Sequence, residues 1–285
     1  MTIFHYTFNT INLLVMNLSK IYYCRECRPS HHLLIKNAKN AILENPRNMP
    51  AHAGDLGMAV MKDYVFKNVI KKPEDFGHIG RIASETSKVW KKARVLNIAF
   101  LHGNKEVINR VIRHAKEWME YANIELNFKP GKKATDVRIT FDKNDGSWSY
   151  VGTEILTIAQ KDPTMNLGWL TPTTDDLEYR RVVLHEFGHT LACIHEHERP
   201  DAGIPWNKPK VYEYYKETDG WSKNDVDAQV FDQYDASLIR GTKIDRHSIM
   251  MYPVPADLTT GGYTVGWNNS LSELDKKYIA KLYKK

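Results

Sequence analysis

Four side chains in one short stretch could carry out hydrolysis together. The chain reads His185-Glu186-Phe187-Gly188-His189, and six residues after His189 comes His195. Residues four apart share one face of an α-helix, so His185 and His189 aim two imidazoles at one point. Glu186 lies about 100° further round the helix and flanks that point rather than joining it. His195 cannot share the face. It reaches the point only if the helix stops near Ala192 and the chain turns back. Three neutral imidazoles with one position left open make a catalytic zinc site. A carboxylate beside it suits a general base that takes a proton from water activated by the metal. Two helical histidines satisfied by ordinary hydrogen bonds are the plain alternative, and a third histidine at this spacing weighs against it.

From His195 the chain continues His-Glu-His-Glu-Arg-Pro-Asp. The whole stretch resembles the astacin signature, HExxHxxGxxHExxRxD, met at His185, Glu186, His189, His195, Glu196, Arg199 and Asp201. Ala192 stands where that family has glycine. Ser248-Ile249-Met250-Met251-Tyr252 resembles the family's Met-turn, SxMxY. The resemblance covers about residues 90–285 and implies an astacin-like metzincin, a zinc endopeptidase. It implies Zn2+ on His185, His189 and His195, and Glu186 as the general base. Tyr252 would be the tyrosine that can ligate zinc and then swing away to stabilise the oxyanion. Met250 would lie beneath the metal. Glu196 would receive the new amino terminus once a pro-segment is cut, and Arg199 and Asp201 would hold the chain past His195. The implied partner is a protein or peptide substrate; no nucleic acid is expected, and the enzyme is expected to be a monomer. The family's glycine ends the active-site helix at positive φ. Alanine in that conformation costs roughly 1 kcal/mol, so the placement of His195 depends on Ala192 adopting it.

The elements that position these residues follow from hydrophobic period. Thr173 to Asp176 supply N-cap chemistry for the active-site helix. Leu177, Leu184, Phe187 and Leu191 give it an apolar stripe, and Val182, His185 and His189 a second stripe facing the cleft. Upstream, 94–101 alternates as a strand, 106–121 places Val107, Val111, Ile112, Ala115, Trp118 and Met119 at helical spacing, and 124–128 and 137–141 read as further strands. The turn formers of 145–152 read as a loop. Residues 164–170 resemble the edge strand at the upper rim of the cleft, where an extended substrate can pair. Downstream come a helix near 209–218 and a final helix with a capping-box-like start at Ser272-Glu273-Leu274-Asp275. The expected fold class is α+β, the metzincin fold: a twisted mixed sheet with backing and active-site helices, then a small irregular and helical C-terminal subdomain.

A mean hydropathy of −0.50 fits a globular chain, and no apolar run approaches the roughly 20 residues of a membrane span. Charge is unevenly placed. Residues 1–92 hold 14 Lys+Arg against 7 Asp+Glu, whereas the rest holds 26 against 27. Two parts are therefore expected: an N-terminal extension, 1–88, where the family places a pro-segment, and an astacin-like peptidase domain, 89–285. Within the extension, 1–50 shows no strong period and a helix is expected around Ala59 to Ile70. Gly54-Asp55 matches part of the FxGD motif through which some astacin pro-segments block zinc. Asp55 is the favoured blocker, with the thiolates of Cys24 or Cys27 as alternatives, since carboxylate and thiolate both bind zinc.

Cys24 and Cys27 form a CxxC followed by His31-His32, too cramped for a usual zinc finger; a redox pair or bystander thiols is the plainer reading. Three cysteines cannot supply the two disulfides typical of the family's catalytic domains. The stretch through Leu13-Leu14-Val15-Met16 is faintly apolar with no basic residue before Lys20, a poor signal peptide. Secretion is the family expectation, and the sequence itself does not assign a compartment. Two rivals follow. One is a zinc-binding but inactive relative, favoured by Ala192 and the missing disulfides and opposed by the intact Glu186. The other is nucleic-acid binding by the basic N-terminal region, whose charges are scattered rather than clustered.

Overall fold

The computed structural model describes residues 24–30, 33–50, 87–131, 134–234 and 243–284. Among these, six strands form one mixed sheet: β1 (Cys24–Cys27), β2 (Arg94–Phe100), β3 (Ile124–Asn127), β4 (Val137–Thr140), β5 (Ser147–Tyr150) and β6 (Met165–Leu167), in the order β1-β5-β6-β4-β2-β3. The longer helices among the described residues are α1 (Leu34–Glu44), α2 (Lys105–Ala115), α3 (Asp176–Thr190), α4 (Lys208–Thr218) and α5 (Glu273–Tyr283). β2, β3, β4 and β6 pair in parallel, and β5 runs antiparallel to its neighbour β6. β1 then adds to the free edge of β5, parallel to it, with Cys24 opposite Ser147 and Cys27 opposite Tyr150.

Local chemistry explains the elements. Asn104 accepts the Glu106 N–H and opens α2, whose Val107, Val111 and Ala115 recur every four residues and are buried. Asp175 caps α3 by accepting the Leu177 N–H at 2.8 Å, with Asp176 and Glu178 at its positive end. These two helices and the sheet enclose one core that includes Leu96, Ile98, Ile139, Met165, Leu184 and Phe187. A smaller cluster around Val211, Tyr215, Val226 and Leu258 holds the irregular C-terminal part. This is the α+β metzincin arrangement expected. Among the described residues, no helix is long and apolar enough to cross a membrane.

Four expectations change. The rim strand is not 164–170: β6 lies inside the sheet, and β5, read as loop, is its neighbour toward the cleft. Ser147 and Ser149 are buried there, so small polar residues disguised a strand. Residues 1–50 do contain a helix, α1, whose buried face of Asn37, Ala38, Ala41 and Ile42 is too polar to stand out as a stripe. Leu177 is 58% exposed, because the first turn of α3 projects beyond the core. Finally, Cys24 and Cys27 lie three apart on β1. Odd spacing turns their side chains to opposite faces of the strand, which rules out a joint redox or metal role in this conformation. The helix expected at Ala59–Ile70, Asp55 and His31-His32 lie outside the described residues.

Candidate metal centre and active site

The site is built on the last turns of α3. Ala192 takes φ of +67°, the left-handed conformation, without glycine. The Ala192 N–H bonds to the His189 carbonyl at 2.8 Å and the Cys193 N–H to the Gly188 carbonyl at 2.9 Å, a Schellman ending. Remaining carbonyls at this end find distant donors: the Trp90 indole N–H bonds to Thr190 O at 2.7 Å, and the Tyr283 hydroxyl to Leu191 O at 2.9 Å. The chain thus turns back, and His195 meets the helix.

The three imidazoles converge as expected. Nε2 of His195 lies 3.1 Å from Nε2 of His185 and 3.0 Å from Nε2 of His189. Carbonyl oxygens only accept, so the tautomers follow. Nδ1 of His185 donates to Ile249 O at 2.8 Å, and Nδ1 of His189 donates to Cys193 O at 3.0 Å. Both Nε2 atoms therefore present bare lone pairs to the same point. Burial holds all three rings below the usual histidine range, hence neutral. Buried lone pairs crowded together this closely repel unless a cation lies between them. The donor set of three neutral nitrogens, within 4.8 Å of one another, fits zinc.

The Met-turn fixes this arrangement from below. Asp275, at the start of α5, accepts from Ser248 Oγ at 2.6 Å and the Ile249 N–H at 2.8 Å while completing the capping box of its own helix with Ser272. Ile249 is thereby held where its carbonyl orients His185. Met250 packs beneath: a Cβ at Gly188 would run into its Sδ, so only glycine admits the sulfur so near the helix. Gly188 was legible in principle, since a mid-helix glycine costs stability and signals close approach.

Glu186 is fully buried, and burial pushes its carboxyl up to about 8 against the pull of the Cys24 thiol, Arg181 and Arg25. Tyr252 is buried against the rings of His195 and His197, with centroids at 4.5 and 4.1 Å. Its hydroxyl donates to the main-chain carbonyl of Cys24 on β1. Glu196 accepts the Asp245 N–H at 3.2 Å and lies 3.5 Å from Arg199, which also grips Asp201 through two hydrogen bonds. Arg199 and Asp201 are thus paired with each other just past His195.

Three residues escaped the sequence reading. His197 stacks on Tyr252 and donates from Nε2 to Gln229 O at 2.9 Å. Glu198, fully buried, places one oxygen 3.5 Å from Nδ1 of His195 and the other 2.9 Å from Arg28. Glu26 on β1 is buried too, bonded to Arg28 and to the Tyr234 hydroxyl. Buried charge with its partners far along the chain leaves no local pattern to read.

The peptidase family described as Astacin matches residues 82–284. A solved structure of myroilysin is 41% identical, with a TM-score of 0.67, covering 70% of this chain and 96% of that one. A crystal structure of myroilysin is 40% identical, with a TM-score of 0.56, covering 70% and 87%. High choriolytic enzyme 1, a hatching-enzyme zinc protease of the medaka fish Oryzias latipes, is 16% identical, with a TM-score of 0.49, covering 69% and 94%. No curated protein sequence matches. The three-histidine site, the Met-turn beneath it and the match over most of the chain lead to one conclusion: the protein belongs to the astacin family of zinc metallopeptidases.

Proposed function

We propose that the chain is a zinc-dependent endopeptidase held latent by its N-terminal extension, residues 1–88, with the peptidase domain spanning 89–285. The observation that carries the first half is the convergence of bare Nε2 atoms from His185 and His189 on His195, with a buried carboxyl alongside. Zinc held there supplies Lewis acidity that makes water nucleophilic near neutral pH. The side chains do the rest. Glu186, buried beside the converging Nε2 atoms, accepts the proton of the attacking water and delivers it to the leaving amine. Tyr252 donates its hydroxyl to the developing oxyanion. It already bonds to a peptide carbonyl, that of Cys24, the kind of acceptor a substrate offers. Met250 is an apolar floor that locks the ligands.

The position of β1 supports the second half. It fills the free edge of β5, the place where an extended substrate would pair. Its Cys24 is buried, with the thiol among Glu186 and Arg181. Burial pushes this thiol up, and it lies nearer the catalytic carboxyl than Cys27 does, so Cys24 stands beside Asp55 as the candidate to test.

Metal analysis and peptide cleavage on the purified chain test this reading. About one zinc per chain is expected, and Glu186→Ala should keep the metal and lose cleavage. Absence of bound zinc, or cleavage by Glu186→Ala at the parent rate, contradicts it. In the uncut chain, Cys24→Ser should raise basal cleavage. If only Asp55→Ala does so, the blocker is the carboxylate.

A further inference from the structure

Arg28 sits one residue past the ladder between β1 and β5 and is held in a built seat. Its Nη2 lies 2.9 Å from Oε2 of Glu198 and 3.4 Å from the Tyr234 hydroxyl, and its guanidinium stacks over the Tyr234 ring at 5.2 Å. The two walls of the seat are tied together: the Tyr234 N–H bonds to the Glu198 carbonyl at 2.9 Å. The Glu198 side chain is 1% exposed whereas that of Arg28 is 40% exposed, so the acid is at the bottom of the slot and the base enters from solvent. The nearby Lys88 is bound to Glu154 at 2.7 Å. Glu26 also binds Arg28, at 2.9 Å, but belongs to the same strand and departs with it.

When β1 leaves, the cleft keeps a carboxylate and an aromatic face, and loses the guanidinium that satisfied them. Glu198 turns Oε1 toward Nδ1 of His195 at 3.5 Å, so Oε2 is the oxygen left for an incoming cation. A buried carboxylate with a stacking ring selects a guanidinium or ammonium, because charge-assisted bonds and cation–π contact are both strong where water is excluded. We infer that the Arg28 seat is a substrate subsite for a basic side chain, with Glu198 as its specificity-determining residue. The N-terminal strand then occupies the cleft partly by presenting the arginine that substrates present. This inference rests on the reading of β1 as a strand that vacates the cleft.

The test uses the zinc-loaded full chain, cut between about residues 77 and 88 and freed of its N-terminal piece, against a positional-scanning peptide library. At one position on one side of the scissile bond, arginine and lysine should exceed norleucine in kcat/KM by about tenfold or more, the discrimination a charge-assisted pair supplies. In Glu198→Gln that ratio should fall to near unity. It is read within each enzyme, so a change in overall rate through the neighbouring His195 does not enter, and zinc content is measured on the same sample. A flat profile in the parent enzyme overturns the subsite, as does an unchanged ratio in Glu198→Gln. Cleavage of no pool by zinc-loaded enzyme overturns the peptidase reading itself, and the subsite with it.

Discussion

The floor of the cleft and the strand that lies in it are held by different means. The floor is locked from many directions by buried groups distant in sequence: Trp90 and Tyr283 on the end of α3, Trp118 on the Leu184 carbonyl at 3.0 Å, and Asp275 on the Met-turn. Apolar burial makes these contacts cooperative with the whole fold. β1 is held by four ladder pairs, the Tyr252 hydroxyl on Cys24, and ion pairs. Of these pairs, Arg25 to Asp145 is 37% and 50% exposed. That pair contributes little against solvent, whereas Arg28 reaches a Glu198 side chain that is 1% exposed. The contrast teaches that positioning of the zinc ligands and covering of the cleft are separable. The framework should tolerate loss of the strand, while the strand has no fold of its own without the framework.

The comparison breaks most completely at the ligands. His189→Ala should abolish both zinc binding and cleavage, measured by metal analysis and peptide assay; full occupancy in that variant removes the three-histidine assignment. Next comes Tyr252→Phe, which touches both regions through one hydroxyl. In the cut enzyme kcat should fall about a hundredfold with KM little changed, the usual effect of losing one oxyanion donor. In the uncut chain the same change should loosen β1, seen as faster hydrogen exchange at 24–27. An effect confined to KM contradicts the oxyanion role.

Two smaller effects sharpen the account of the framework. Gly188→Ala drives a Cβ into the Met250 sulfur and should cost about 1–3 kcal/mol, the range of overpacking, read from denaturant unfolding. An unchanged midpoint means the Met-turn yields freely and does not brace the site. Ala192→Gly relieves left-handed strain and should stabilise by about 0.5–1 kcal/mol, part of the relief being offset by the freer unfolded chain. Destabilisation there means that the alanine methyl packs usefully enough to outweigh its backbone.

Much of this was legible in the sequence. His185, Glu186 and His189 announce themselves because a helix converts their spacing directly into geometry, and the Met-turn lies where its pattern says. The helix end at Ala192 was legible only as a condition, since nothing local shows whether a non-glycine residue accepts positive φ. The Schellman bonds and the Trp90 and Tyr283 donors make it do so. β5 was hidden because Ser147 and Ser149 look like turn residues, and their burial comes from distant partners such as Thr190 of α3, whose hydroxyl lies 3.3 Å from that of Ser149. The Glu26, Arg28, Glu198 and Tyr234 cluster was illegible. Its members are up to 208 positions apart, and a buried charge is recognised by its partner rather than by its neighbours in the chain.

The central claim is that a competent zinc site lies under a strand that must leave. The test is the rate at which the zinc-loaded full chain cleaves a fluorogenic peptide, measured before and after a single cut between about residues 77 and 88. A near-silent full chain and an active cut enzyme are expected, with unchanged zinc content across the step. Equal rates before and after the cut, with the N-terminal piece shown to have dissociated, contradict it.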